Sequence, residues 1–169
     1  MAHLELYRRK LFIIPFLLVF LAVSSCQVTL APAYDQAIFD GVTENSELAM
    51  QFFANVEGGT DNESFFRREP TYNKLIGAFE SLKIQARSRP IPDNKAIARV
   101  NKMLRAKGDE AIDDSYPSAF AFERIAATFR QMKEFDEEDA MNPEVIATLK
   151  GQVEIYLDQA ITYESFLKR

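Results

Sequence analysis

Apolar residues recur along most of this chain at alternating intervals of three and four, the spacing of one face of a helix packed against other helices. The clearest stripe is near the C-terminus: Ile146, Leu149, Val153, Tyr156, Ala160, Tyr163 and Leu167. Asn142-Pro143-Glu144 precedes it. Asn suits the cap, Pro the first helical position, and Glu the positive end of the helix dipole. A second stripe runs through Phe122, Ile125, Phe129 and Met132, behind Pro117 and widened by Phe120 and Phe135. The acidic run Asp136 to Asp139 follows, and acids at a helix C-terminus oppose the dipole, so this helix is expected to fray there.

A third stripe comprises Tyr72, Leu75, Phe79, Leu82 and Ala86. Pro70 sits just before it, so either the helix begins there or one starting near Asn62 bends at the proline. The weakest stripe is the first: Ile38, Val42, Asn45, Ala49, Phe52 and Val56, ended by Gly58-Gly59. Asn45 interrupts this row, where a buried amide fixes register or marks a ligand contact. Between the third and second stripes as described, "SRPIPD" reads as a stiff linker. Asp93 then caps a short helix carrying Ile97, Val100, Met103 and Leu104, closed by Gly108. No useful run alternates as a strand would. The pattern predicts an all-α, up-down four-helix bundle with a short extra helix inserted between the second and third long helices.

Residues 1–33 do not fit that bundle. Arg8, Arg9 and Lys10 precede the apolar run Leu11 to Val23, the anatomy of a secretory signal peptide. As a helix those thirteen residues would span about 20 Å, short of a hydrocarbon core of about 30 Å. Val23-Ser24-Ser25-Cys26 closes the run and resembles the lipobox of bacterial lipoproteins. The resemblance implies lipidation of Cys26 and cleavage before it. Ala31-Pro32-Ala33 is a competing site for ordinary signal peptidase, but it lies far past the apolar run and holds a proline. The expected organisation is a signal peptide over 1–25, a lipidated stalk over 26–33 and a single helical domain over 34–169. Gln27 after the cysteine, where aspartate would signal inner-membrane retention, implies the outer membrane, facing the periplasm.

Composition narrows the chemistry. The only histidine is His3 and the only cysteine Cys26, and there is no tryptophan. A mature chain starting at Cys26 therefore lacks a Ser-His-Asp or Cys-His pair, a His/Cys zinc site and a disulfide. No Walker loop and no G-x-G-x-x-G is present. No cofactor and no metal are expected. The chain has 20 basic and 25 acidic residues; losing Arg8, Arg9, Lys10 and Glu5 leaves 17 and 24, a charge of −7. That balance disfavours nucleic acid as a partner.

Within this acidic chain, Lys83 to Lys107 holds eight basic residues and one acid, Asp93. Lys83, Arg87, Arg89, Arg99, Lys102 and Arg105 are the candidate contacts for an anionic surface or partner. The alternative is a solvated face balanced by Asp109, Glu110, Asp113 and Asp114. Phe52-Phe53 and Phe65-Phe66 are adjacent pairs, so one member of each is expected on a flank.

The expected function is a noncatalytic envelope lipoprotein, a protein-binding scaffold or escort tethered to a membrane by lipid. Its size and layout resemble helical lipoproteins such as secretin pilotins. "AYDQAIFDGV", "TYNKLIGAFESLKIQA" and "LKGQVEIYLDQAITYESFLKR" resemble all-helical envelope lipoproteins, a likeness that implies no activity. One alternative is a carboxylate-dependent cell-wall glycan hydrolase or lyase, which needs two acids facing a cleft. Glu80, Glu123 and Glu154 are its candidates, although Lys150 and Glu154 also form an ordinary helical pair. The other alternative is a small lipid carrier, which needs a cavity between the helices.

Overall fold

The computed structural model describes residues 31–90 and 116–168, together with Lys102, Met103 and Ala106. Four helices account for most of it: α1 Gln36–Val56, α2 Phe65–Ser88, α3 Pro117–Glu138 and α4 Pro143–Leu167. A 3-10 turn, Asn62–Ser64, leads into α2. No strand occurs among the described residues. Each helix packs against two neighbours, in the cyclic order α1, α2, α3, α4. Arg68 near the start of α2 meets Asp136 near the end of α3, and Arg87 near the end of α2 meets Glu123 near the start of α3. The helices therefore alternate in direction around a closed ring, an up-down four-helix bundle. One end carries the short α1–α2 and α3–α4 connections and is called the turn end. The other is the insertion end, where residues 91–115 join α2 to α3. Lys102, Met103 and Ala106 are helical, at the place expected for the extra helix. Asp93, Ile97, Val100, Leu104 and Gly108 lie outside the described residues, as do Cys26 and the leader.

Local signals start and stop the helices as their chemistry requires. Asp35 accepts from the Ala37 and Ile38 amides at 2.9 and 3.4 Å, and Asn142 accepts from the Val145 amide at 2.9 Å. Pro117 and Pro143 occupy first-turn positions whose N–H would have no helical acceptor. Gly59 ends the α1 connection with φ +105, and the Gly59 amide donates to the Val56 carbonyl at 2.9 Å. A Cβ there would also press to 3.2 Å from the Met141 carbonyl oxygen. That close approach serves a join between the two turns. The Thr60 amide donates to the Met141 carbonyl, and the Met141 amide to Thr60 Oγ1, both at 2.9 Å. Of the two starts allowed for α2, the upstream one holds: helical turns begin at Asn62 as a 3-10 turn, pass into α2 at Phe65 and run through Pro70.

The stripes are buried where the spacing places them, with three corrections. On α2 all five positions are buried, and on α1 all but Asn45. Asn45 is half-buried and makes no hydrogen bond across helices: it donates back to the Gly41 carbonyl at 2.7 Å, within α1. On α4 the buried row is Ile146, Leu149, Val153, Leu157, Ala160 and Glu164, so Tyr156 and Tyr163 give way to the residues after them. A straight helix turns through 3.6 residues, so a strict heptad drifts off the core face and an eleven-residue rhythm replaces it. On α3, Phe120 and Phe135 are exposed, while Ala119, Ala121 and Ala126 are buried. Small side chains let α3 approach its neighbours closely; large rings at the edge of that contact are turned outward.

Phe52 and Phe53 are both buried, against the expectation that one would sit on a flank. Phe53 meets Phe129 at 5.6 Å between ring centres, and Phe52 meets Tyr72 edge-on at 4.7 Å. Phe129 stacks on Phe79 at 6.4 Å, and Phe79 meets Phe122 at 6.3 Å. Three helices, α1, α2 and α3, thus share one chain of rings, each pair contributing about 0.5–1.5 kcal/mol beyond its burial. For Phe65-Phe66 the expectation holds: Phe65 is half-buried against the core and Phe66 exposed.

Candidate functional site

The α2 stripe does not stop at its apolar members. One step earlier in the rhythm stands Arg68, and one step later Arg89. The α3 stripe continues in the same way to Asp136, and the buried row of α4 to Glu164. The four charged residues pair off inside the bundle, one pair at each end.

At the turn end, Arg68 Nε donates to Asp136 Oδ2 at 2.6 Å and Nη2 to Oδ1 at 2.8 Å. The Asp136 side chain is fully buried. Arg68 Nη1 also donates to Ser64 Oγ, and Nη2 to the Asp61 carbonyl, both at 2.6 Å. The Tyr72 hydroxyl donates to Asp136 Oδ2 at 3.1 Å. Burial, and then the Asp136 charge beside it, push the Tyr72 phenol far above its ordinary range. The pair also corrects the expectation that α3 frays. The half-buried Arg68 guanidinium offsets the acid, the Asp139 amide closes on the Phe135 carbonyl at 2.9 Å, and Asn62 donates to the Glu138 carbonyl at 3.2 Å.

At the insertion end, Arg89 and Glu164 form a two-pronged pair. Nη1 donates to Oε2 at 2.9 Å and Nη2 to Oε1 at 2.8 Å. Nη2 also donates to Ser118 Oγ at 3.0 Å. The guanidinium lies 5.2 Å from the Tyr116 ring centre, and the Tyr116 hydroxyl donates to the Pro90 carbonyl at 2.8 Å. Burial raises the phenol pKa of both Tyr116 and Tyr163. Arg89 and Glu164 sit on helices that face each other diagonally across the ring, so this pair crosses the core and plugs it. Its surroundings give partners to four of the five guanidinium N–H groups and to both carboxylate oxygens.

This geometry divides the candidate basic patch. Arg89 is turned inward and committed to Glu164, so it belongs to no surface. Lys83 pairs with Glu80, which also takes Arg130, and Arg87 pairs with Glu123 at 2.8 Å. Each of those α2 cations is matched by an acid of the bundle. Lys102 is exposed; Arg99 and Arg105 lie outside the described residues. The three described α2 residues do not converge on one face that could receive a ligand.

The candidate carboxylates are likewise occupied. Hydrogen bonds from Lys83 and Arg130 hold the Glu80 carboxyl below its usual range, and Lys133 does the same to Glu69. A general acid needs the opposite shift. Glu123 is tied to Arg87, and Glu154 lies 3.6 Å from Lys150. The two buried acids, Asp136 and Glu164, stand at opposite ends of the bundle, each held by arginine. Among the described residues, no group of three or more His, Cys, Asp or Glu could hold a metal ion.

Sequence reasoning missed Asp136, Glu164, Arg68 and the inward role of Arg89. The signal was present: the three-four rhythm continues onto them. It is invisible to any count of apolar positions alone.

Two clefts are lined wholly by described residues at the turn end. One of about 180 Å³ lies at the α3–α4 turn, against Phe135, Met141 and Val145. Another, of about 290 Å³, lies between α1 and α2 at the turn end. No helix among the described residues is long and apolar enough to cross a membrane. No protein family, curated protein or solved structure matches the chain.

Proposed function

We propose that this chain is a noncatalytic bacterial envelope lipoprotein: a helical bundle tethered by lipid on Cys26 that scaffolds or escorts a protein partner. The observation that carries the proposal is the run of Arg8-Arg9-Lys10, thirteen apolar residues and Val23-Ser24-Ser25-Cys26, set directly ahead of a folded bundle. Lipid anchoring needs more than one chain to hold stably, at about 0.8 kcal/mol per buried CH₂. A diacylglyceryl group with an acylated amine meets that need. With Gln27 after the cysteine, the destination is the outer membrane, on its periplasmic face.

The bundle supports a binding role over a catalytic one. Its centre is occupied by stacked rings and its two buried acids, Asp136 and Glu164, are each held by arginine, an arrangement that favours rigidity. The outer α3–α4 face presents Phe120 and Phe135, exposed by 49% and 42%, with Ile155 exposed by 59% on α4. Phe120 meets Tyr156 edge-on at 6.2 Å, and Arg124 lies over Tyr156 at 6.0 Å. Aromatic side chains with arginine are the residues that protein interfaces favour. This face, rather than the matched α2 cations, is the better candidate for a partner.

The test is the intact mass of full-length protein extracted from membranes, beside Cys26→Ser. Diacylglyceryl and acyl increments on a chain beginning at Cys26 are expected, with the variant unmodified and released from the membrane. A chain beginning at Tyr34 would overturn the anchor. Crosslinking of the anchored protein in native membranes, with Phe120→Ser and Phe135→Ser introduced together, tests the partner face; an unchanged crosslink pattern would overturn it.

A further inference from the structure

The cleft between α1 and α2 at the turn end has a floor of Phe52 and Val56 and a rim of Asn55, Arg67, Arg68 and Thr71. It encloses about 290 Å³. No carboxylate lines it, in a chain with five more acids than bases. Asp61, next to it in sequence, turns its carboxylate to the Ser64 amide at 2.7 Å and the Ser64 hydroxyl at 2.6 Å. Asp136 is committed to Arg68.

The two guanidiniums retain donors. Arg68 has five N–H groups; two bond Asp136, one Ser64 and one the Asp61 carbonyl, which leaves one on Nη1. Arg67 makes no ion pair; its guanidinium lies 5.5 Å from the exposed Phe66 ring. Beside them stand the Asn55 amide and the Thr71 hydroxyl. Donors thus outnumber anionic acceptors around an open space with an apolar floor.

We propose that this cleft binds a small oxyanion, a phosphate or carboxylate group on a short stem, with Arg67 as its main ligand. The planar fork of arginine matches two oxygens of such a group at once. Arg68 and Thr71 add single donors, and Phe52 and Val56 cover the stem. The site does not depend on the lipid anchor. The phosphate could be carried by a diffusible molecule or by a lipid headgroup, and the two sources are separable.

The full chain in neutral detergent is titrated with inorganic phosphate, against chloride at matched ionic strength, and the melting midpoint is followed. Wild type should show a saturable rise that chloride does not produce. Arg67→Gln, an exposed substitution whose fold is checked by circular dichroism, should weaken that binding about tenfold or more, the loss of a charge-assisted pair of hydrogen bonds. Arg67→Lys should bind between the two, because it keeps the charge and loses the fork. Arg124→Gln, on the α3–α4 side, should behave as wild type. Phosphatidic acid doped into the micelles identifies a headgroup if it suppresses the response to inorganic phosphate, and a diffusible ligand if it does not. Superimposed titrations of wild type and Arg67→Gln, or the absence of saturation in wild type, would overturn the site.

Discussion

At the turn end Arg68 reaches Asp136 on the helix beside it; at the insertion end Arg89 reaches Glu164 on the helix across the ring. Both pairs take their arginine from α2, but they operate in different settings. The turn end is already joined through backbone, by the bond from the Thr60 amide to the Met141 carbonyl, with the Thr60 hydroxyl accepting from the Met141 amide in return. There Arg68 keeps one flank near solvent, with 15% of its side chain exposed, and adds bonds to Ser64 and Asp61. At the insertion end, no backbone hydrogen bond among the described residues links one helix to another. Among the described residues it is side chains that hold that end, and their pair lies deeper, at 7% and 0% exposure. The contrast teaches that a short turn positions helix ends cheaply, whereas a long excursion between α2 and α3 leaves positioning to a polar lock inside the core.

The largest expected effect tests that lock. Glu164→Leu leaves a buried guanidinium unpaired and should destabilise by about 3–5 kcal/mol in chemical denaturation. Adding Arg89→Met should bring stability back to within about 1 kcal/mol of wild type, since an apolar pair removes both desolvated charges. If the double variant is no better than the single one, the pair is not acting as a unit. Asp136→Asn at the other end should cost less, about 1–3 kcal/mol, because Arg68 keeps Ser64, the Asp61 carbonyl and access to water. Hydrogen exchange should accelerate at residues 136–139; unchanged protection there would mean the end of α3 is held by other means.

Next comes a difference in pH response. Burial first, and the Asp136 charge second, raise the Tyr72 pKa above the 10.0 of a free phenol. The folded state therefore keeps a proton that the unfolded chain releases, so stability is whole below about pH 10 and declines as pH rises beyond it. Tyr72→Phe cannot titrate and should show a flatter decline above about pH 10, read from denaturation midpoints across that range. Parallel curves would remove Tyr72 from the alkaline response. Thr60→Val, which deletes the acceptor of the Met141 amide, should cost about 1 kcal/mol. Smallest of all, Arg87→Gln breaks a surface pair at the insertion end and should change stability by about 0.5 kcal/mol or less. A larger loss from Arg87→Gln than from Thr60→Val would reverse the ranking of buried over exposed contacts.

Much of the fold was legible because helices advertise their buried face by spacing. Tyr72 through Ala86 is buried position for position, and the caps at Asn142 and Pro117 sit where their chemistry demands. The exchange of Tyr156 for Leu157 and of Tyr163 for Glu164 was not legible, since a heptad and an eleven-residue rhythm differ by one position only after two turns. Phe120 and Phe135 misled because ring size suggests burial, while closeness between helices selects alanine. The polar locks were half-legible: the rhythm reaches Arg68, Arg89, Asp136 and Glu164, but only three dimensions reveal which charges meet. The α1–α2 cleft was not legible at all. Arg67 and Asn55 are distant in sequence and unremarkable in pattern, and nothing local announces that a gap opens between them.

The Tyr116 hydroxyl bonded to the Pro90 carbonyl has a consequence for what this scaffold tolerates. The chain leaves the body at Pro90 and re-enters it at Tyr116, two points held together by the reach of one tyrosine side chain. A junction closed in that way accepts a change in the length or sequence of 91–115 without shifting the points it joins. Variation in that segment is therefore the cheapest way for evolution, or an engineer, to give the same chassis a different grip.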